Sequence, residues 1–369
     1  MNRIAINGFQ FFSLIILYEI GSSVLISVAA SAKKDAWIAI AITTLLGCLL
    51  CLIYLKLYQY YPKFSLTSFI PKIVGKQLGF LIGICYIVYF IYMASRVLRD
   101  FEQLLVISLY PTISLMTIGI CLIITVMYAG LKGFEVFSRV GELCFFIMIF
   151  IMVLVISCQF ISDLIKFDNL KPMLENGWKP IVKAIFPTTL TSPFGELIAF
   201  TMIFPLVRSQ HSVKKIGLLA VVVSGILISI FLLLEISVIG ENEYHISTYP
   251  VLTAVSYINI AGFIQRLDSL VIVILVLIGF IKIGILFFCA VSGTADLFKL
   301  KQVNKLIYPI GCIILFSSLA MAPNQIIQYR AGLNFVPYYL HVPFQIIIPL
   351  LLLCIVFFRN KNKEAVPKG

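Results

Sequence analysis

The sequence predicts an all-α integral membrane protein of about ten transmembrane helices, five in each half, with the first and sixth helices broken. Three observations carry this. Of 369 residues, 61% are hydrophobic and only 12% are charged, about half the charged share of a soluble domain. Apolar stretches recur from end to end at about the twenty residues needed to cross a ~30 Å hydrocarbon core. Polar, glycine-containing interruptions fall at corresponding places in the first and sixth stretches.

In order, the stretches cover residues 8–31, 36–59, 79–108, 113–129, 141–161, 178–207, 215–239, 268–293, 304–322 and 340–359. Residues 62–76 and 250–264 read as short surface helices, and the tail from Arg359 is polar and expected to be disordered. The whole chain, 1–369, reads as a single transmembrane domain: a first half (1–161), an external connection (162–177), a second half (178–359) and a cytoplasmic tail (360–369). The run from Gly8 to Ala32 is about twice a signal-peptide core and contains Glu19, so it reads as a first span rather than a cleaved leader.

The net charge of +12 does not point to nucleic acid, whose binders gather Lys and Arg on one continuous face. Here the basic residues sit in short segments between spans. With the N-terminus inside, 17 of the 28 fall on the cytoplasmic side, eight outside, and three (Arg96, Arg99 and Lys282) within spans. Both termini are therefore expected in the cytoplasm. An odd number of spans per half makes the halves enter the membrane from opposite sides, as in an inverted repeat.

In lipid a helix interruption survives only where protein or a cavity covers it. The first, Glu19-Ile20-Gly21-Ser22-Ser23, and the second, Thr191-Ser192-Pro193-Phe194-Gly195-Glu196, both lie near mid-span. Unwinding there would expose N–H groups suited to a carboxylate and C=O groups suited to an ammonium. Ser192 and Pro193 read as N-cap and first residue of a new half-helix, with Glu196 in its first turn. Close packing at small residues is the structural alternative. Glu19, Glu196 and Lys282 are deep charges that need partners or water. Lys282 either occupies an ion-coupling position or pairs with Glu19 or Glu196. Tyr89 and Met93, four residues apart, share a helix face that would wall a pocket. The candidate ligand-binding residues are thus Glu19, Gly21, Ser22, Ser23, Tyr89, Met93, Ser192, Phe194, Gly195 and Glu196, with Lys282 as ion or coupling site.

Arg96, Arg99, Asp100 and Glu102 are expected to snorkel to the interface. His211, His245 and His341 fall in loops or at span ends. Cys48 and Cys51 have C-x-x-C spacing but only leucines between them, and buried Cys behaves as a small hydrophobe. No nucleophile–base pair, phosphate loop or metal spacing is present, so neither enzymatic activity nor a cofactor is expected.

The segment Asn169-Leu170-Lys171-Pro172-Met173-Leu174-Glu175-Asn176-Gly177-Trp178-Lys179-Pro180, leading to Pro193-Phe194-Gly195-Glu196, resembles the GerAB family, the B subunits of spore germinant receptors within the amino acid–polyamine–organocation superfamily. Gly133-Phe134-Glu135 through Arg139 and Glu142, Arg266-Leu267-Asp268, and Phe280-Ile281-Lys282 resemble it too. The resemblance implies a LeuT-like fold with a site between spans one, three, six and eight. It further implies assembly with A and C subunits in the spore inner membrane, and a small germinant, an amino acid or similar, that triggers germination. Glu19 departs from the apolar first span of that family. A proton-coupled amino-acid permease is the alternative function.

Overall fold

Long apolar runs in lipid have one way to pair their backbone groups locally, the α-helix, and the computed structural model follows that constraint. It describes residues 5–25, 29–260, 264–265, 267–322 and 324–364. Arg3, Arg266 and tail residues 365–369 lie outside them. The α-helices are α1 (Gly8–Ser23), α2 (Ala36–Tyr60), α3 (Leu66–Val74), α4 (Lys76–Ser108), α5 (Leu115–Lys132), α6 (Phe134–Ile161) and α7 (Trp178–Ala184). They continue with α8 (Val213–Ile246), α9 (Pro250–Ser256), α10 (Asp268–Phe298), α11 (Ile307–Ala320), α12 (Gln325–Arg330) and α13 (Ile348–Glu364). Among the described residues, eight helical stretches are long and apolar enough to cross a membrane: Ala30–Tyr60, Lys76–Ser108, Leu115–Lys132, Phe134–Ile161, Gln210–Ile246, Asp268–Phe298, Val303–Ala320 and Pro337–Arg359. The chain is therefore an integral membrane, all-helical protein.

The two expected spans missing from that set are the interrupted ones, the first and the sixth. α1 opens with a capping box: Asn7 Oδ1 accepts from the Gln10 N–H at 2.7 Å, and Gln10 Oε1 accepts from the Asn7 N–H at 3.1 Å. Its start is tied to α6 by Ala5 N–H donating to Glu135 (2.8 Å) and Gln10 to Glu142 (3.2 Å). Ile6 also exchanges backbone bonds with the end of the sixth segment: its N–H donates to Leu206 O (2.9 Å), and its carbonyl accepts from Arg208 (3.0 Å). The two interrupted segments are thus neighbours. α10 lies at the centre, packed on α1, α4 and α6.

Four expectations change. Residues 62–76 form α3, as expected for a surface helix, but 250–264 do not stay helical. α9 stops at Ser256, and an antiparallel pairing follows between β1 (Asn259–Ile260) and β2 (Ile264–Gln265), where β-branched isoleucines favour extended backbone. α6 begins at Phe134, before the expected 141, because Gly133 (φ +91°) makes the whole turn from α5 in one residue. The expected 340–359 span starts earlier and irregularly: wide-turn helix covers Ala331–Phe335 and Pro337–Ile347 before α13. Pro337 and Pro343 lack the N–H an α-ladder needs, and i→i+5 bonding takes its place. Of the tail expected to be disordered, residues 360–364 continue α13.

The α3–α4 corner depends on one close approach. A Cβ at Gly79 would lie 2.3 Å from Pro71 Cα, whereas one at Gly83 would meet the flexible end of Leu297 at 2.9 Å. Backbone cannot yield as a side chain can, so Gly79→Ala is expected to destabilise the chain by about 1–3 kcal/mol and Gly83→Ala by less. Thermal unfolding of the two variants in detergent checks the order.

Candidate functional site

Sequence chemistry breaks the sixth segment where expected. α7 gives way to wide-turn helix over Ile185–Thr189, Ser192 N–H still reaches Thr188 O (2.9 Å), and a 3-10 helix then runs from Phe194 to Met202. Pro193 contributes no N–H to carry the ladder through. The capping expectation needs correction. Pro193 rather than Ser192 precedes the new helix, and its carbonyl takes the Glu196 N–H at 3.0 Å. With i→i+3 bonding already using that donor, the Ser192 hydroxyl turns to the Glu196 carboxylate, donating to Oε1 at 2.8 Å.

The first interruption also differs. Glu19, Ile20, Gly21, Ser22 and Ser23 stay inside α1, which is capped by Val24 N–H on Ile20 O at 3.2 Å. Gly21 is tolerated in the helix, and the Ser23 hydroxyl donates to Glu19 O (2.8 Å). The helix therefore ends about a turn later than expected. The side chain of Ser22 lies outside the described residues.

Nor is the main chain at the sixth-segment break bare. Tyr54 donates to Gly195 O (3.1 Å) and Gln345 O (2.7 Å), and Tyr18 donates to Glu196 O (3.4 Å). The charges at this break are carried by side chains. Lys282, fully enclosed at 0% exposure, meets Glu196 with Nζ–Oε2 at 2.5 Å. Its ammonium also sits 4.9 Å from the Tyr18 ring centre, a cation–π contact. Of the open alternatives for Lys282, pairing with Glu196 is the one observed. Gly21 makes room for it, since a Cβ there would touch the Lys282 side chain at 3.2 Å. Glu19 is fully buried on another partner: its Oε2 accepts from Ser224 of α8, while Oε1 has no hydrogen-bond partner among the described residues.

Beside Glu196 is a cavity of about 40 Å³ whose lining includes Met93, Arg96, Asp100, Ser192, Glu196 and His341. That is room for a few waters. The α4 wall thus carries a guanidinium and a carboxyl group, from Arg96 and Asp100, and the sixth segment faces it with the carboxyl group of Glu196. Of the residues expected to bind ligand, Met93, Ser192 and Glu196 line this space. Tyr89 stands behind the wall: its hydroxyl bonds His341 Nδ1 (2.8 Å) and accepts from Gln345 (2.8 Å), with its ring stacked 4.8 Å from Phe344. Phe194 is buried against Gly47 of α2, and Gly195 lies under the Gln345 amide.

Arg96, Asp100 and His341 were not expected here. The four α4 residues do not snorkel. Arg99 and Glu102 are buried, 3.6 Å apart, with Arg99 donating to Ala322 O (3.3 Å) and Ser318 donating to Glu102 (2.9 Å). Asp100 accepts from Gln328 at 2.5 Å. The available signal was spacing: 93, 96, 97 and 100 share one helical face, and His341 and Gln345 share another. His341, expected at a span end, is 3% exposed within the irregular helix.

Comparison with known proteins adds a lineage. The family described as spore germination protein matches residues 5–326. Spore germination protein KB of Bacillus subtilis (strain 168) is 35% identical over 364 residues, covering 99% of this chain and 98% of the relative. From the same organism, spore germination protein YndE is 25% identical over 90% of each chain. Spore germination protein B2 is 24% identical over 85% of this chain and 82% of its own.

Removing one member of a buried ion pair leaves an uncompensated charge, at a cost of about 3–5 kcal/mol, whereas removing both is often near neutral. Glu196→Met and Lys282→Met are each expected to destabilise by about that amount, and the double variant by less than either. A double-mutant cycle by thermal unfolding in detergent measures this, and additive losses would exclude the coupling.

Proposed function

The chain belongs to the spore germination protein family, and from that premise we infer that it is the membrane-embedded B subunit of a nutrient germinant receptor. Support is broad: a family match over most of the chain and a relative aligned over nearly the full length of both proteins. The relatives are named for germination rather than for a catalysed reaction, in keeping with a receptor rather than an enzyme. A relative named spore germination protein B2 supports a receptor of several subunits. In this reading the chain sits beside an A and a C subunit in the spore inner membrane, both termini facing the cytoplasm.

The proposed architecture is ten spans in a LeuT-like 5+5 inverted repeat. Eight long apolar helices, added to the interrupted stretches beginning at α1 and α7, support that count. The germinant site we propose is the charged cavity beside the sixth-segment break. The observation that carries this is the convergence of Arg96 with Asp100 and Glu196 around one buried space. A zwitterion such as an amino acid matches such a space, carboxylate toward the guanidinium and ammonium toward the carboxylates.

At about 40 Å³ the cavity is closed to an amino acid, so occupancy requires α4 and the 325–347 segment to part. A ligand that fits only the parted form shifts the equilibrium by its difference in affinity for the two forms. That shift is the signal the partner subunits read.

A hydrogen bond to a charged group contributes about 1.5–3 kcal/mol, or about tenfold to a hundredfold in affinity. Spores carrying Arg96→Gln or Ser192→Ala, with subunit levels matched by immunoblot, are expected to need at least about tenfold more germinant for half-maximal response. Gly195→Leu, which drives a side chain into the Gln345 amide, is expected to abolish the response. Unaltered dose–response curves in all three would overturn the assignment of the cavity. Uptake of germinant by the purified chain alone in liposomes would instead make it a permease.

A further inference from the structure

Where α3 gives way to the start of α4 beside the end of α10, the surface carries a groove of about 720 Å³ lined by Phe64, Lys72, Lys76, Phe80, Leu297 and Lys299, among others. We propose that this groove seats the headgroup of an anionic phospholipid. The phosphodiester lies among the three lysines, and the acyl chains run along Phe80 and Leu297.

Depth is the first argument. α4 begins at Lys76 and α10 ends at Phe298, and both are long apolar helices. Lys76 and Lys299 therefore stand where hydrocarbon gives way to headgroups. α3 packs its apolar face, Leu66, Phe69, Ile70 and Ile73, on the protein and leaves Lys72 exposed on the other side. Aromatic residues mark the same level: Phe64, Phe80 and Phe298 are all exposed, with the last two in edge contact at 5.6 Å. These apolar rings supply a hydrocarbon-facing wall beside the lysines.

Charge is the second argument. Among the described residues none of the three lysines is ion-paired, and with the carboxylate of the lining, Asp296, hydrogen-bonded by the hydroxyls of Ser65 (2.5 Å) and Thr67 (3.5 Å), the groove keeps a net positive charge. Lys72 is stationed by its ammonium 3.4 Å from the centre of the Phe64 ring. Arg359 brings a further cation to the rim by donating to Lys72 O at 3.1 Å. Lysines gathered beside apolar and aromatic walls at the membrane boundary select lipids of net negative charge over zwitterionic ones.

The test uses the full chain purified in neutral detergent, with lipid retention read by native mass spectrometry. The probes are dioleoyl phosphatidylglycerol, dioleoyl phosphatidylcholine and inorganic phosphate. The triple variant Lys72→Gln/Lys76→Gln/Lys299→Gln is compared with Lys132→Gln/Lys301→Gln/Lys305→Gln, which loses equal charge outside the groove. Wild type and the control are expected to retain phosphatidylglycerol in preference to phosphatidylcholine, and the groove variant to retain about tenfold less. Should the triple variant not fold, Lys72→Gln and Lys299→Gln are read singly for the same direction of loss. Equal retention by groove variant and control, equal retention of the two lipids, or displacement of phosphatidylglycerol by inorganic phosphate would each overturn the proposal.

Discussion

The buried contact between Lys282 and Glu196 is the constraint on which the centre of this molecule depends. One partner comes from the middle of the continuous helix α10, the other from the first turn of the 3-10 helix after the sixth-segment break. Neither charge belongs in hydrocarbon alone, where insertion costs about 2.5–3.5 kcal/mol for a lysine. Their pairing therefore holds an irregular segment against a regular one. The surrounding residues fit this role: Gly21 leaves space for the lysine stem, Tyr18 offers its ring face to the ammonium, and Ser192 supplies a donor to the other carboxylate oxygen. A buried pair of this kind adds little net stability over a well-packed apolar pair. What it contributes here is position, because Glu196 also borders the cavity.

Irregular backbone inside a membrane has to be covered by protein, and tyrosines do much of the covering. Tyr54 bridges Gly195 O and Gln345 O, joining the two irregular stretches directly. Tyr86 donates to Phe344 O at 2.7 Å, and Tyr89 engages both His341 and Gln345. The carbonyls at Gly195, Glu196, Phe344 and Gln345 are consequently engaged by hydroxyls. What lines the cavity is instead charged and hydroxyl side chains, those of Arg96, Asp100, Ser192 and Glu196. A site built this way is sensitive to how α4 sits against the 331–347 segment, and that segment's wide-turn hydrogen bonding makes it the less regular partner.

Much of the fold was legible because hydrophobic length and proline chemistry act locally. The eight long helices follow from apolar runs, the break before Phe194 from Pro193, and the need of Lys282 for a partner from its place within a span. Other features depended on geometry between elements. Whether Lys282 would face Glu19 or Glu196 turns on how α10 is rotated against α1 and the sixth segment. The same holds for α4, where Arg96 and Asp100 reach the cavity while Arg99 and Glu102 are buried toward α5 and α11. Treating all four as interfacial missed the three- and four-residue spacing that separates the two faces. α1 runs on through Gly21 to Ser23 because glycine and serine need not break a membrane helix. In a membrane helix a serine hydroxyl bonds back to the carbonyl four residues earlier, as Ser23 does to Glu19. The irregularity before α13 had a local signal in Pro337 and Pro343.

The central claim is that the Lys282–Glu196 pair forms the inner support of a charged cavity that takes the germinant. An electron cryo-microscopy map of the assembled receptor with a saturating amino-acid germinant tests it most directly. The account predicts added density between Arg96 and Glu196, α4 displaced from the 325–347 segment, and Lys282 still in contact with Glu196. Density lodged elsewhere, with this cavity closed, or Lys282 turned to Glu19 would contradict it.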